Sequence, residues 1–166
     1  MPLTSTIEPY DRQWPQRYAD EVRRLTPVFG AALVDIHHVG STAVPGLAAK
    51  PEIDVLAIVD VTGGLDEWTR SLQTLGYRRG GDLSPGHHFF KRDVDGVRTH
   101  KLHVCREGHP TAAEMLRFRD HLRRHPGDRM SYQALKLALE RDNTEGIREY
   151  LAGKGPFIRS LLRGLG

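Results

Sequence analysis

Cysteine is nearly missing from this 166-residue chain, where Cys105 is the single example. One thiol excludes an internal disulfide and any thiolate zinc cluster built within one chain. Set beside His103 and Val104, Cys105 reads as a strand residue and a buried, inert thiol rather than a nucleophile. Long apolar runs are missing too. None reaches the roughly 18 residues a membrane-spanning helix needs, so no membrane association is expected. The start, MPLTSTIEPYDRQWP, lacks a cationic segment followed by an apolar one. No secretory signal is therefore expected, and the cytoplasm is the expected location. There is no internal repeat, low-complexity tract or flexible linker. Nor is there a dense basic stripe interleaved with aromatics, so nucleic acid is not an expected partner.

What is present is an ordinary globular composition, 39% apolar and 27% charged, long enough for one domain spanning residues 1–166. The net charge of +3 is uneven: residues 106–166 carry 12 Arg and Lys against 8 Asp and Glu, whereas residues 1–105 carry 12 against 13. The C-terminal part can face an anion or simply present a solvated helical surface.

Periodicity supplies the elements. Trp14, Tyr18, Val22, Leu25 and Phe29 recur at helical spacing across residues 11–29, with Pro15 in the first turn. Strands are expected at residues 31–39 and 53–60, separated by a loop or short helix over 40–51 and followed by a helix over 64–75 that Gly76 stops. Two further strands, 87–93 and 98–105, flank Asp95-Gly96, a strong hairpin signal. Beyond Cys105 the pattern turns helical. Thr111 and Glu114 read as a capping box, His125-Pro126-Gly127 as a break, and Tyr132, Leu135 and Leu139 as the next helix. A last helix is expected from about residue 144, interrupted between Gly153 and Pro156. The expected architecture is α+β, a small mixed sheet with helices packed on one side and a C-terminal helical part.

The segment IHHVGSTAVPGLAAKPEIDVLAIV, residues 36–59, carries the chemistry. Gly40 and Ser41 follow an apolar run, and Glu52 and Asp54 flank Ile53 as a new strand begins. A small Gly-Ser turn lets backbone N–H groups and a hydroxyl approach phosphate, while alternate strand positions set two carboxylates on one face. A carboxylate opening a strand as apolar as Val55 to Val59 needs a cation or hydrogen-bond donors. Asp54 is therefore the strongest single candidate, as a metal ligand or as a cap on the preceding loop. Glu52 is a second ligand or an edge charge.

The blocks HHVGSTAVPGLAAKPEIDVL, RTHKLHV at 98–104, FRDHLRRHP at 118–126 and YQALK at 132–136, with Lys154 and Phe157-Ile158, closely resemble the bacterial GrpB family. The resemblance spans most of the chain. It implies a nucleotidyltransferase-like fold of the DNA polymerase β type, and a relation to a domain fused to dephospho-CoA kinase. Relatives commonly carry an apolar residue at position 52 and His at position 101, where this chain has Glu52 and Lys101.

The resemblance implies a site in which Gly40, Ser41 and Thr42 hold the phosphates of a nucleoside triphosphate. Asp54, Glu52 and His103 would hold Mg²⁺ or Mn²⁺, or another divalent transition metal, for nucleotidyl transfer to a small-molecule acceptor. His103 stands where the superfamily's third carboxylate is expected, as a ligand, a general base or a buried structural residue. His100 points to the opposite face. Lys50, Arg119, Lys136 and Lys154 are candidate phosphate partners, each with a plain surface charge as the alternative. Tyr132 would stack a base or pack in the core. The competing functional class is a nucleotide- or CoA-type ligand-binding module without catalysis.

Overall fold

A computed structural model describes residues 5–60 and 64–164. Residues 1–4, 61–63 and 165–166, which include part of the N-terminal stretch and of the 1–166 domain span, lie outside the described residues. Helix α1, Trp14–Phe29, opens with Pro15 in its first turn and buries Trp14, Glu21, Leu25 and Phe29. A short 3-10 turn, Gly30–Ala32, leads into β1, Leu33–Val39. A second such turn, Ser41–Ala43, opens the loop before β2, Ile53–Val59. Helix α2, Leu65–Thr74, precedes three consecutive strands: β3, Tyr77–Ser84; β4, His87–Val94; and β5, Val97–Arg106. Helices α3, Pro110–Arg124, α4, Pro126–Arg141, and α5, Ile147–Gly164, complete the chain.

The five strands lie in the order β1-β2-β5-β4-β3, and β2 runs parallel to β5 while the other pairs are antiparallel. Period-two alternation divides β2 cleanly. Ile53, Val55, Ala57 and Val59 pack with Trp14, Leu25 and Phe29 of α1 and with Trp68 and Leu72 of α2. Leu56 and Ile58 face the other way, against Val39, Cys105 and Ala112 of α3. Each large side chain buried in these layers stabilises the fold by roughly 1.5–3 kcal/mol. A third cluster joins Val44 and Leu47 of the β1–β2 loop to Leu122, Tyr132 and Phe157 of the C-terminal helices. The C-terminal helical part thus clamps the loop to the sheet.

Three sequence readings are corrected. Residues Tyr77–Ser84 form a strand that the sequence did not announce: Arg78, Arg79, Gly80, Gly81 and Asp82 are exposed at the sheet's edge, and Tyr77 is its buried member. With one buried member, this edge strand has little apolar alternation to display. The N-cap of α3 is His109, whose Nδ1 accepts from the Thr111 N–H at 3.1 Å, so Thr111 lies inside the first turn. Pro110, pre-set for the first helical position, starts the helix earlier than the expected capping box. Finally, α5 runs unbroken through Gly153, Gly155 and Pro156. Gly153 is there for close approach to α4: a Cβ at that position would come within 2.4 Å of Leu139 Cδ2. The Asp95-Gly96 hairpin is as expected, with φ of 53° and 79°.

Candidate functional site

The pleat brings the chemistry to the face of the sheet turned toward α3 and α5. In the β2–β5 pairing Asp54 stands opposite Lys101 and Leu56 opposite His103. In the β1–β2 pairing Asp54 stands opposite Val39, the last residue before Gly40. Asp54 therefore lies against the turn. Gly40 has φ of 75°, and a Cβ on it would fall 2.1 Å from Asp54 Oδ2. Only glycine fits, for both conformational and steric reasons.

The side chains of Glu52 and Asp54 share one partner. Lys101 Nζ is 3.4 Å from Glu52 Oε2 and 3.6 Å from Asp54 Oδ1. Asp54 Oδ1 is buried with no hydrogen bond. Burial pushes the Asp54 carboxyl up, and Lys101 works against that rise. Burial acts to lower Lys101, but the two carboxylates outweigh it and hold the ammonium well above its usual range.

A cavity of about 60 Å³ opens beside this ion cluster, lined by Ser41, Lys50, Lys136, Tyr150 and Lys154 among others. Lys136 is 2% exposed, and its Nζ donates to Ser41 Oγ at 2.9 Å and to Ala48 O at 2.7 Å. An ammonium has three donors, so one remains. Burial, reinforced by Lys154 and Lys50, pushes Lys136 down to about 7. Burial followed by Lys101 brings Lys154 to about 8. Burial also lowers Lys50. Lys50 and Lys154 both sit over the Tyr150 ring, at 3.7 and 4.7 Å from its centre. These amines surround two carboxylates, a surplus of positive charge in a small, partly dry space.

A second cavity of about 310 Å³ adjoins the first through Ser41, Asp54 and Lys154 and extends to His103, Met115, Phe118, Tyr132 and Ile158. Its walls are mainly apolar. The structure thus brings together Gly40, Ser41, Lys50, Glu52, Asp54, Lys136 and Lys154 from the candidates, with Lys101 at their centre. Thr42 is adjacent, but its hydroxyl is committed: it donates to Glu52 O at 2.9 Å and takes a hydrogen bond from His38 Nε2 at 2.9 Å. His38 stays neutral, its pKa brought to about 4 by burial and then by Arg123 and Arg119. Arg119 is not in the lysine cavity. It binds Asp120 and donates to His38 O at 3.1 Å, bracing β1 from behind the loop. Tyr132 is a core aromatic, edge-on to Phe118 and stacked on Phe157, with one side on the larger cavity.

His103 shares the Asp54 face, but its Nδ1 meets His87 Nε2 at 2.8 Å and its ring packs on Phe89. Burial, then His87, lowers it to about 3, leaving a weak base at neutral pH. Among the described residues no cluster of three or more His, Cys, Asp or Glu side chains is spaced to hold a metal ion. Lys101, not His103, stands across from Asp54. Two residues of this site were not among the sequence candidates: Lys101, read only as a departure from relatives, and Tyr150. The spacing of four between Tyr150 and Lys154 would have signalled a shared helix face, had α5 been read as continuous.

The GrpB protein family matches residues 4–163. The chain belongs to the GrpB family. It is 34% identical to the UPF0157 protein YqkA of Bacillus subtilis over 91% of this chain and 44% of that protein. To the UPF0157 protein SCO7215 of Streptomyces coelicolor it is 35% identical over 93% of this chain and 81% of that protein. A dephospho-CoA kinase of Mycolicibacterium paratuberculosis is 29% identical over 95% of this chain, which spans 45% of the kinase. Among solved structures, GrpB from Enterococcus faecalis superposes with a TM-score of 0.85 at 27% identity, covering 96% of this chain and 99% of that one. The Cid1 poly(U) polymerase bound to MgATP superposes at 0.57 with 10% identity, covering 89% of this chain and 50% of that one, a likeness of fold. The chain is thus an α+β domain of nucleotidyltransferase-like fold. No helix among its described residues is long and apolar enough to cross a membrane.

Proposed function

We propose that this GrpB domain binds the polyphosphate of a nucleotide, a nucleoside triphosphate or a CoA-type ligand, in the lysine-lined cavity beside Gly40 and Ser41. One observation carries the reading: Lys50, Lys101, Lys136 and Lys154 border a cavity with Glu52 and Asp54 as its carboxylates. Four lysine amines against two carboxylates form a pattern that an anion completes by favouring the charged form of each amine. On this reading Ser41 Oγ and the third N–H of Lys136 hydrogen-bond phosphate oxygens, and charge-assisted bonds of that kind are about twice as strong as neutral ones. The apolar cavity beyond Ser41 and Lys154 supplies a place for a base or another uncharged part.

The nucleotidyltransferase-like fold implies Mg²⁺ or Mn²⁺ as well. The residues present do not fit that ion: Lys101 stands in front of both carboxylates, and among the described residues no third acidic or imidazole side chain is grouped with them to hold a metal. The binding reading needs no metal.

A second reading is nucleotidyl transfer from a nucleoside triphosphate to a small acceptor. It is favoured by the 310 Å³ cavity that reaches Ser41 and Asp54, with room for an acceptor beside the phosphates. An acceptor hydroxyl or amine would attack the α-phosphorus and pyrophosphate would leave. Pyrophosphate release that Asp54→Ala abolishes would establish it. Binding without turnover across a panel of small acceptors would leave the domain a binding module.

Binding itself is tested by calorimetry and thermal shift with ATP, GTP, CTP, UTP and CoA. Lys154→Gln and Ser41→Ala should each weaken binding by about tenfold, the loss of one charge-assisted or hydroxyl contact. No shift with any of these ligands would overturn the proposal.

A further inference from the structure

The position of Lys101 decides what counter-charge this site uses. Its Nζ lies 3.4 Å from Glu52 Oε2 and 3.6 Å from Asp54 Oδ1, in front of the carboxylate that β2 presents and the one just before the strand. The register fixes it there, because Asp54 and Lys101 are direct partners on parallel strands. A divalent ion bound by those oxygens would sit about 2.0–2.1 Å from each, inside the space the ammonium faces. The ammonium cannot stay there with it, and expelling it would drive it toward Lys50, Lys136 and Lys154, which line the same cavity.

We propose that Lys101 is a tethered cation in place of a divalent metal, so that this chain takes its nucleotide phosphate free of metal. The inference rests on the nucleotide-binding reading given above. Lys101 neutralises one of the two carboxylate charges and spreads the remainder, leaving the other three amines to meet phosphate oxygens. Recognition is then by ammonium groups and Ser41 alone among the lining groups named, and the bound species is the metal-free polyphosphate. The same geometry makes Lys101 the residue that excludes a metal: without it, Glu52 and Asp54 form an open pair of carboxylates, one with an oxygen that lacks any hydrogen bond.

Two measurements test this separately. In the first, ATP binding is compared by calorimetry in EDTA and in excess Mg²⁺. The expected result is no tightening by Mg²⁺. Binding that is about tenfold tighter with Mg²⁺ would overturn the tethered-cation role and leave the nucleotide reading intact. In the second, no nucleotide is present. Electron paramagnetic resonance follows free Mn²⁺ as wild type, Lys101→Gln, Lys101→Ala and Lys101→Gln with Asp54→Asn are titrated, and thermal melting is followed with and without Mn²⁺. Wild type should leave Mn²⁺ free. The two single variants should bind one ion and regain melting temperature with it, because removing Lys101 leaves two carboxylates crowded and unpaired. The double variant should do neither. Wild-type binding of Mn²⁺ as tight as that of the variants would overturn the proposal, as would folded single variants that bind none. If no nucleotide binds under any condition, the preceding reading fails, and the Mn²⁺ titration still decides what Lys101 excludes.

Discussion

Neighbouring residues of β5, His100 and Lys101, point into two polar clusters on opposite faces of the sheet, and the clusters differ in one respect. On the α1 face Glu21, 3% exposed, accepts from the Tyr77 hydroxyl at 2.7 Å, from Arg92 at 3.2 Å and from Arg24 at 3.2 Å, with His100 Nε2 at 3.5 Å. Burial, against the pull of Glu21, brings His100 down to about 4, so the ring is neutral there. One acid is met there by several donors, with Arg92 Nε the one buried atom of the cluster left over. On the other face two acids share Lys101, one carboxylate oxygen has no hydrogen bond, and three more amines border a cavity. Burial and perturbed titration mark both clusters. Titratable groups beside open space make the second the candidate site.

Breaking the closed cluster should cost the most stability. Glu21→Ala leaves Arg92, the Tyr77 hydroxyl and His100 without their acceptor in a buried setting, and should destabilise the fold by about 3–5 kcal/mol. Urea unfolding followed by circular dichroism reads this as a lower midpoint at unchanged slope. Nucleotide binding measured well below the melting temperature should stay within a few-fold of wild type. A loss of stability under about 1 kcal/mol would mean that the Glu21 cluster is no more than a surface ion pair.

The open cluster should show the reverse balance at Gly40. Gly40→Ala forces a positive φ on alanine and drives its Cβ against Asp54 Oδ2. Strain of that kind costs on the order of 1–3 kcal/mol. Displacing the turn from Asp54 should also weaken ATP binding by more than about tenfold. Gly30→Ala is the control, with φ of 54° and open space at its Cβ. It should lose stability through the backbone and keep its affinity. Equal affinities for the two variants would detach Gly40 from the site.

Most of the fold was legible because its elements carry apolar periods: the α1 stripe, the buried β2 run and the Asp95-Gly96 turn all appear where their patterns put them. Strand β3 was not, since an edge strand of Arg, Gly and Asp has little to bury. The unbroken α5 was not, because a glycine that admits Leu139 and a glycine that ends a helix look the same in sequence. In the site, Gly40, Ser41, Glu52 and Asp54 could be paired from spacing and alternation. Lys101 could not be placed across from Asp54 without the β2–β5 register, which depends on a crossover through α2, β3 and β4. Arg119 and Arg123 reach carbonyls of β1 and its following loop, a structural use that a match between sequence blocks does not distinguish from phosphate binding.

The smallest effect distinguishes the two clusters by pH. Lys136 and Lys154, lowered to about 7 and about 8, lose protons in the folded protein well before they would in the unfolded chain, whose lysines titrate near 10.5. The unfolded chain therefore binds more protons from about pH 7 upward, and these two groups make the ligand-free fold more stable as pH rises toward 10.5. A bound polyphosphate favours the charged amines, so affinity should run the other way and fall as pH rises from 7 to 9, by up to about tenfold per unit for each group that must regain a proton. Near pH 8 binding should take up roughly one proton, read as a dependence of the calorimetric enthalpy on the ionisation heat of the buffer. Lys136→Met should remove much of that uptake, whereas Glu21→Gln, on the closed face, should leave it unchanged. An enthalpy independent of buffer would place the phosphate away from these two amines.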